Sequence, residues 1–312
     1  MGDPAGVGPD VVVAAAWSPR VRRACSMRVF GDRRVLESTP AWRGRIDGSA
    51  IERIEEVTAL RWRGPRPRPG RRCGEAAFRY LEQAVAAVRR GECDALVTAP
   101  LNKFWMNRAG HPYDGHTGYL SHVSGCRAVM MLAGRRLRVV LVTAHVAHRS
   151  VSELLDVGSI VHAGRTTEAH LRRYHGVDRP RLAVAALNPH GGEGGLFGDE
   201  ERRVIRPAVR LLRRRGVSAE GPLPADTLFA AAVSGDYDAV ICMYHDQALI
   251  PLKMLEFGRA VNVSMGLPFI RTSPDHGTAY ELAGTGAARA DSMEESLVLA
   301  AMMARRLRGR VA

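Results

Sequence analysis

The chain has 312 residues, 46% of them hydrophobic and 25% charged, with a formal net charge of +13. That length suits two lobes with sizeable cores, and the composition is that of a globular protein rather than a disordered or fibrous one. No apolar run approaches the roughly 18 residues of a membrane span, so no membrane association is expected.

The N-terminus enters a Gly/Pro segment, MGDPAGVGPD, without a basic stretch followed by an apolar one, and the expected compartment is the cytoplasm. Five cysteines (Cys25, Cys73, Cys93, Cys126 and Cys242) form no CxxC pair, which argues against a disulfide framework and a zinc knuckle. The positive charge invites a nucleic-acid reading, but the arginines are scattered. Only RWRGPRPRPGRR, Arg61 to Arg72, is dense, and it lacks the interleaved aromatics of RNA-binding surfaces. It reads as a solvated loop, and no nucleic-acid partner is expected. Lys103 and Lys253 are the only lysines among 45 basic residues. Where arginine is the default cation, a lysine is a candidate for a site, because its compact charge responds to burial.

In chain order, the Gly/Pro segment comes first, able to bring backbone amides to an anion if a helix begins at Pro9 or Asp10. It is not GxGxxG, so it carries no Rossmann fingerprint. A strand, SMRVFG, precedes a helix over Cys73–Gly91 and a second strand, CDALVTAP. The loops TAPLNK and GHTGYL lead to the strand LRVVLVTAH, which ends at His145. A helix over Ser150–Gly176 is followed by the strand RLAVAALNPH, ending at His190, and the polar loop LNPHGGEGGLFGDEE. A further helix spans Gly198–Gly216, then come the loop GPLPADTLF and the strand DAVICMYH, ending at His245. YHDQALIPLK and VNVSMGLPFIRTSPDHGTAYELAG read as loops, and Ser292–Arg310 as a closing helix. This alternation predicts an α/β fold with mainly parallel strands.

Near-continuous apolar runs suit parallel strands covered on both faces, and ligands of open α/β sheets gather at the carboxyl ends of strands. One histidine at such an end is more often structural. Three placed alike point to a shared metal ion, although imidazole ligands leave zinc, cobalt, nickel and iron all open. His111, His122, His148, His162, His170 and His175 read instead as surface or helix residues.

Taken together, GDPAGVGPD, TAPLNK, GHTGYL, LNPHGGEGG, GPLPADTLF, YHDQALIPLK and VNVSMGLPFIRTSPDHGTAYELAG, in this order from residue 2 to about residue 298, resemble the 4-hydroxythreonine-4-phosphate dehydrogenase family of vitamin B6 biosynthesis. The resemblance implies an isocitrate/isopropylmalate dehydrogenase-like α/β fold with two lobes, mainly parallel sheets and a cleft between them. Residues 1–105 and 258–312 would form the cofactor lobe, and residues 106–257 the lobe with metal ligands and dimer interface. It further implies NAD- or NADP-dependent oxidation of 4-phosphooxy-L-threonine to a β-keto acid, which decarboxylates to 3-amino-2-oxopropyl phosphate. One divalent metal per site, zinc, cobalt or magnesium, would be held by His145, His190 and His245, with ligands drawn from both subunits of a homodimer.

Substrate contacts carry over to His116, Thr117, Lys253, Asn262 and Arg271, with Lys253 and Asp226 in catalytic roles; Gly2, Asp3, Gly6 and His276 are cofactor candidates. The chemistry agrees: Arg271 offers a planar fork for an oxyanion, Lys253 a point charge, and a metal lowers the pKa of the hydroxyl to be oxidised. Asp246 either fixes a ligand's tautomer or is a surface residue. Asp226 also suits a helix cap, Asn262 a local backbone bond, Arg271 an ion pair and Lys103 a turn.

Three departures stand out. The chain begins inside the first motif, where relatives carry a preceding strand, so the expectation is either a start that lies upstream of Met1 or a sheet that lacks its first strand. Gly118 follows GHT where the family commonly has an acidic residue, and His148 stands where an apolar residue is usual. Gly118 keeps open a paralogue oxidising a threonate or erythronate phosphate, or a dihydrodiol dicarboxylate. A non-catalytic anion or nucleic-acid binder is the reading from another class; the three histidines and Lys253 argue against it.

Overall fold

The structure, a computed structural model, describes residues 1–42 and 47–309. The end of the first expected lobe, residues 310–312, therefore lies outside the described residues. The chain divides into two compact units, Met1–Ala128 with Leu267–Arg305, and Val129–Gly266 with Arg306–Ala312. Among the described residues no helix is long and apolar enough to cross a membrane.

The first unit begins with α1 (Gly8–Ala16), α2 (Pro19–Ala24), β1 (Met27–Gly31), α3 (Arg33–Glu37) and β2 (Ile51–Glu56), with β1 and β2 paired in parallel. Val11, Val12, Val29, Leu36, Ile51 and Leu297 share the core beneath them. The long helix α4 (Arg71–Arg89) buries Cys73, Ala76, Ala77, Tyr80, Leu81, Val85 and Val88. That is an i, i+3, i+4 stripe, and each Leu-sized side chain it removes from water contributes roughly 1.5–3 kcal/mol. β3 (Ala95–Val97), α5 (Lys103–Arg108) and α6 (Gly115–Ser124) complete this stretch.

The second unit runs β4 (Val129–Ala133), β5 (Arg138–Leu141), α7 (Val151–Leu154), α8 (Val157–His170), β6 (Leu182–Ala185), α9 (Arg206–Arg214), β7 (Ala219–Leu223), α10 (Ala225–Ser234), β8 (Ala239–Cys242), α11 (His245–Glu256) and β9 (Val261–Met265). Its strands lie in the order β9-β4-β5-β8-β6-β7. β4 is antiparallel to both β5 and β9, whereas β5-β8, β8-β6 and β6-β7 are parallel. LAVA of β6 and AVIC of β8 are buried at every position, as strands covered on both faces require. The chain then returns to the first unit with β10 (Ile270–Pro274), parallel to β3, and most of α12 (Asp291–Arg308).

Three expectations change. The helix over Ser150–Gly176 breaks at Leu155, because Asp156 caps a new helix by accepting from the Ser159 amide at 2.9 Å. Segments read as loops are regular: VNVSM and IRTSP are β9 and β10, HDQALIPLKMLE is α11, and GHT opens α6. The arginine-rich segment is not wholly solvated, for Pro67 is buried and the Arg66 side chain is only 12% exposed.

Candidate active site

β5 and β8 are parallel neighbours, with Leu141 opposite Cys242, so the chain leaves both strands on the same edge. Beyond them the pairing continues: Val142 N donates to Cys242 O at 2.9 Å, and Thr143 Oγ1 donates to Met243 O at 2.7 Å. This holds the two following segments side by side and places the rings of His145 and His245 with centroids 5.7 Å apart. Gln247 clamps the start of α11, accepting from Met243 N at 2.7 Å and donating to Ala186 O at 2.6 Å. His245 Nδ1 lies 2.7 Å from Asp246 Oδ1. An ionised carboxylate only accepts, so Nδ1 carries the proton and Nε2 has its lone pair free for a cation.

The pair fits two ligands of one ion. A metal–nitrogen distance of about 2.0–2.1 Å puts each ring centroid roughly 3.2 Å from the metal, and two adjacent ligands then stand about 5–6 Å apart. His190 is not brought to them: among the described residues no three His, Cys, Asp or Glu side chains of one chain cluster closely enough to hold a metal.

His190 follows β6 in a turn organised by a buried carboxylate. Glu201 accepts from the amides of Leu187 and Asn188, both at 2.8 Å, and from Asn188 Nδ2 at 3.0 Å. His190 itself is left-handed, with φ 52°, and the HGGEGG run keeps positive φ to Gly195. Gly192 is needed there, since a Cβ would come within 2.6 Å of Glu201 Oε2. A non-glycine residue in this region costs about 1–3 kcal/mol, a strain typical of functional positions. His190 lines a cavity of about 690 Å³ with Asp226, His148, Arg149, Asn188 and Tyr244. His148, without a role from sequence, packs edge-on against Tyr244 at 5.1 Å. Asp226 sits in the first turn of α10, whose cap is Pro224, so it does not cap that helix.

Lys253 lies eight residues beyond His245 on α11, about 12 Å along the axis. Asn262, on β9 opposite Leu132, has its Oδ1 buried without a protein partner. A local backbone bond to that oxygen, the alternative use for this residue, is absent, and a buried amide oxygen left so is costly unless a ligand or water completes it.

In the first unit, His116 and Thr117 stand in the first turn of α6. No side chain caps that turn, because the Asp114 carboxylate instead accepts from Lys103 Nζ at 2.7 Å. Uncapped amides at a helix N-terminus favour anions. Burial, followed by the Arg271 guanidinium, holds His116 well below the usual imidazole range, so it is neutral. Arg271 is buried on β10, its Nη2 donating to Thr98 Oγ1 at 2.7 Å, and burial pulls its pKa down to about 10, still cationic at neutral pH. Arg271 thus sets a buried cation near a neutral imidazole.

The N-terminal residues have packing reasons for their identities. A Cβ on Gly2, at φ 77°, would lie 2.4 Å from Pro100 O, and one on Gly6 2.8 Å from Thr278 O. Asp3 is fully buried, accepting from Ala5 N and Tyr280 Oη at 2.9 and 2.6 Å, and burial pushes its carboxyl pKa up. α1 starts at Gly8 with Asp10 in its first turn, so a carboxylate already faces its positive pole. His276 stands exposed just past β10, its Nδ1 3.0 Å from Gly277 O. Sequence reasoning missed Gln247, Glu201 and Tyr244; the polar residues flanking two of the histidines were the available signal.

A family model described as pyridoxal phosphate biosynthetic protein PdxA matches residues 23–300. The chain is 48% identical to a 4-hydroxythreonine-4-phosphate dehydrogenase of Geobacter metallireducens, over 98% of this chain and 94% of that one. It is 41% identical to a D-threonate 4-phosphate dehydrogenase of Cupriavidus necator, over 98% and 96%. Among solved structures, a 4-hydroxythreonine-4-phosphate dehydrogenase from Klebsiella pneumoniae superposes with TM-score 0.85 at 38% identity, covering 97% of this chain and 98% of that one. The expected isocitrate/isopropylmalate dehydrogenase-like α/β fold is borne out by these likenesses. The chain belongs to the PdxA family of pyridoxal phosphate biosynthetic proteins.

Proposed function

We propose that this protein oxidises 4-phosphooxy-L-threonine with NAD or NADP and a divalent metal, as a homodimer whose metal sites draw on both subunits. The observation that carries this reading is the split of the histidines: His145 and His245 are paired 5.7 Å apart, while His190 is held elsewhere at a conformational cost. A ligand set that one chain leaves incomplete is completed by symmetry if His190 of each subunit serves its partner's pair.

The surface supports the same arrangement. Ile250 and Met254, at i and i+4 on α11, the helix that begins with His245, are 60% and 83% exposed, and Phe257 just past its end is 83% exposed. Leu196 and Phe197, exposed just after the HGGEGG turn, add apolar surface next to His190. Apolar stripes of this kind mark association surfaces, and here they flank both parts of the ligand set.

Roles for the side chains follow from their chemistry. Arg271 and Thr117 donate to the phosphate, with neutral His116 as a further donor that adds no competing charge. Lys253, a compact ammonium, holds a carboxylate or passes a proton, and Asn262 Oδ1 accepts from the substrate's ammonium. Asp226, which lines the same cavity as His190, accepts a proton. When bound, a divalent cation supplies Lewis-acid polarisation of the hydroxyl and the nicotinamide accepts the hydride. His276, on the polar loop after β10, marks the cofactor side. The β-keto acid formed loses carbon dioxide readily, giving 3-amino-2-oxopropyl phosphate.

The test follows NADH or NADPH absorbance with 4-phosphooxy-L-threonine and a panel of phosphorylated hydroxy acids, before and after chelation. Turnover of the threonine phosphate that stops on chelation and returns with zinc, cobalt or magnesium is expected; undiminished turnover after verified metal removal defeats the reading. A second substrate, D-threonate 4-phosphate, belongs in the panel because Gly118 supplies no side chain beside Thr117, where a Cβ would make only ordinary contacts at 3.7 Å and beyond.

A further inference from the structure

The arginine-rich segment, which carries no part of the reaction, runs as a strap tied at three points. At one end the Arg34 guanidinium lies 4.4 Å over the Trp62 ring, and at the other Cys73 Sγ donates to Arg68 O at 3.2 Å. Between them Arg66 turns inward. Its Nη1 donates to Asp10 Oδ2 at 2.6 Å and its Nη2 to Gly6 O at 3.3 Å. Asp10 Oδ2 also accepts from Gly284 N at 3.4 Å, and the Arg66 side chain lies so close to Gly284 that a Cβ there would meet Arg66 Cδ at 2.6 Å. One guanidinium thus touches the N-terminal loop, the first turn of α1 and the segment that follows His276.

Those pieces are also joined by Val7 N to Thr278 O at 2.9 Å, by Tyr280 Oη to Asp3, and by Ala279 and Ala283 packing against the core that holds Val7 and Val11. The 275–286 segment has no regular secondary structure, and Ala279 within it is left-handed, with φ 38°. A segment of that kind depends on side-chain anchors for its order. Breaking the Arg66–Asp10 pair is costly, because both members are largely buried, with 12% and 7% of their side chains exposed, and removing one leaves the other's charge buried without it.

We infer that Arg66 is a positioning residue for the dinucleotide: by pinning Asp10 and Gly284 together it orders the 275–286 loop before the cofactor arrives. This rests on the reading that the loop after β10 lies on the cofactor side. A binding-competent loop that is only fractionally populated weakens apparent affinity by that fraction. Loss of the latch therefore raises KM for the dinucleotide and spares the chemical step.

The test uses the full-length, metal-loaded enzyme and three variants: Arg66→Met, Arg66→Lys and Asp10→Asn. Amide hydrogen exchange at Val7 and at 282–286 reports the latch, and steady-state kinetics report its effect. Arg66→Met and Asp10→Asn are expected to speed exchange and raise KM for the dinucleotide about tenfold. kcat and KM for the phosphorylated substrate stay within about twofold, and Arg66→Lys, which keeps the charge without the fork, falls between. Exchange and KM both at wild-type values in Arg66→Met overturn the proposal. So does failure of all three variants to fold, which would make the pair purely structural. Adding NADH or NADPH to the wild-type enzyme separates the two claims. Protection at 275–279 with an unmoved KM in Arg66→Met overturns the latch alone. No protection at 275–279 overturns the cofactor reading and the latch with it.

Discussion

His245 donates its Nδ1 proton to Asp246 at 2.7 Å, and the His145 ring stands 5.7 Å from that of His245. The carboxylate is exposed, so its bond contributes little to stability, yet it decides which nitrogen of His245 faces a cation. Asp246→Asn should therefore weaken divalent-metal affinity about 10- to 100-fold, read by competition with a chromophoric chelator. The melting temperature of the metal-free protein should be unchanged. Equal metal affinity in the variant would remove Asp246 from the site.

A ligand set divided between subunits makes a prediction that a one-chain set cannot. His145→Ala and His190→Ala should each be inactive as homodimers. Mixed and reassociated, they should regain about a quarter of wild-type activity, because about half the dimers are hybrid and one of the two sites in each hybrid carries no substitution. No recovery, with hybrid dimers verified by mass spectrometry, would place all three histidines on the same chain.

Parts of this site were legible because strands announce themselves by composition. LRVVLVTAH and DAVICMYH have near-continuous apolar centres, and parallel pairing of β5 with β8 delivers their histidines to one edge. β9 and β10 were not legible, since VNVSM and IRTSP carry polar residues that pattern reading assigns to solvent. In the fold most of them are buried, and some find specific partners: Thr272 Oγ1 donates to Ser296 O at 2.9 Å and Arg271 to Thr98. Such partners lie 24 and 173 residues away along the chain, beyond any local pattern. α11 was hidden by Pro251 within it and by His-Asp-Gln at its start, which read as a turn. Arg66 was hidden by its neighbours, since a lone buried arginine among exposed ones leaves no periodic trace.

Gly118 offers a cleaner stability test. It lies inside α6, and a Cβ there meets nothing nearer than 3.7 Å. Glycine in a helix interior costs roughly 0.5–1 kcal/mol relative to alanine, so Gly118→Ala should raise stability by about that amount in urea unfolding. Lower stability would show that the first turn of α6 needs glycine for a reason other than space.

Acid should destabilise the protein through two histidines outside the candidate site. His170 ends α8, its ring 5.4 Å from that of His175 and 4.8 Å from that of Tyr174, and the Nε2 atoms of both histidines are buried without a partner. Burial, then His175, Arg138 and Arg173, pushes His170 down to about 3, while burial, then Arg138 and Arg306, pushes His175 down to about 4. An unfolded histidine titrates near 6.5, so between that value and the folded ones unfolding takes up protons. Stability is then full above about pH 6.5 and falls as the pH drops towards 4. For His170, each pH unit below 6.5 costs about 1.4 kcal/mol, or about 2 kcal/mol at pH 5. His170→Phe keeps the ring volume and removes that proton site. Urea midpoints of the metal-free protein from pH 7.5 to 4.5 should fall steeply in the wild type and less steeply in the variant. Parallel curves would mean that folding leaves the pKa of His170 near its unfolded value, and would remove His170 as the source of the acid sensitivity.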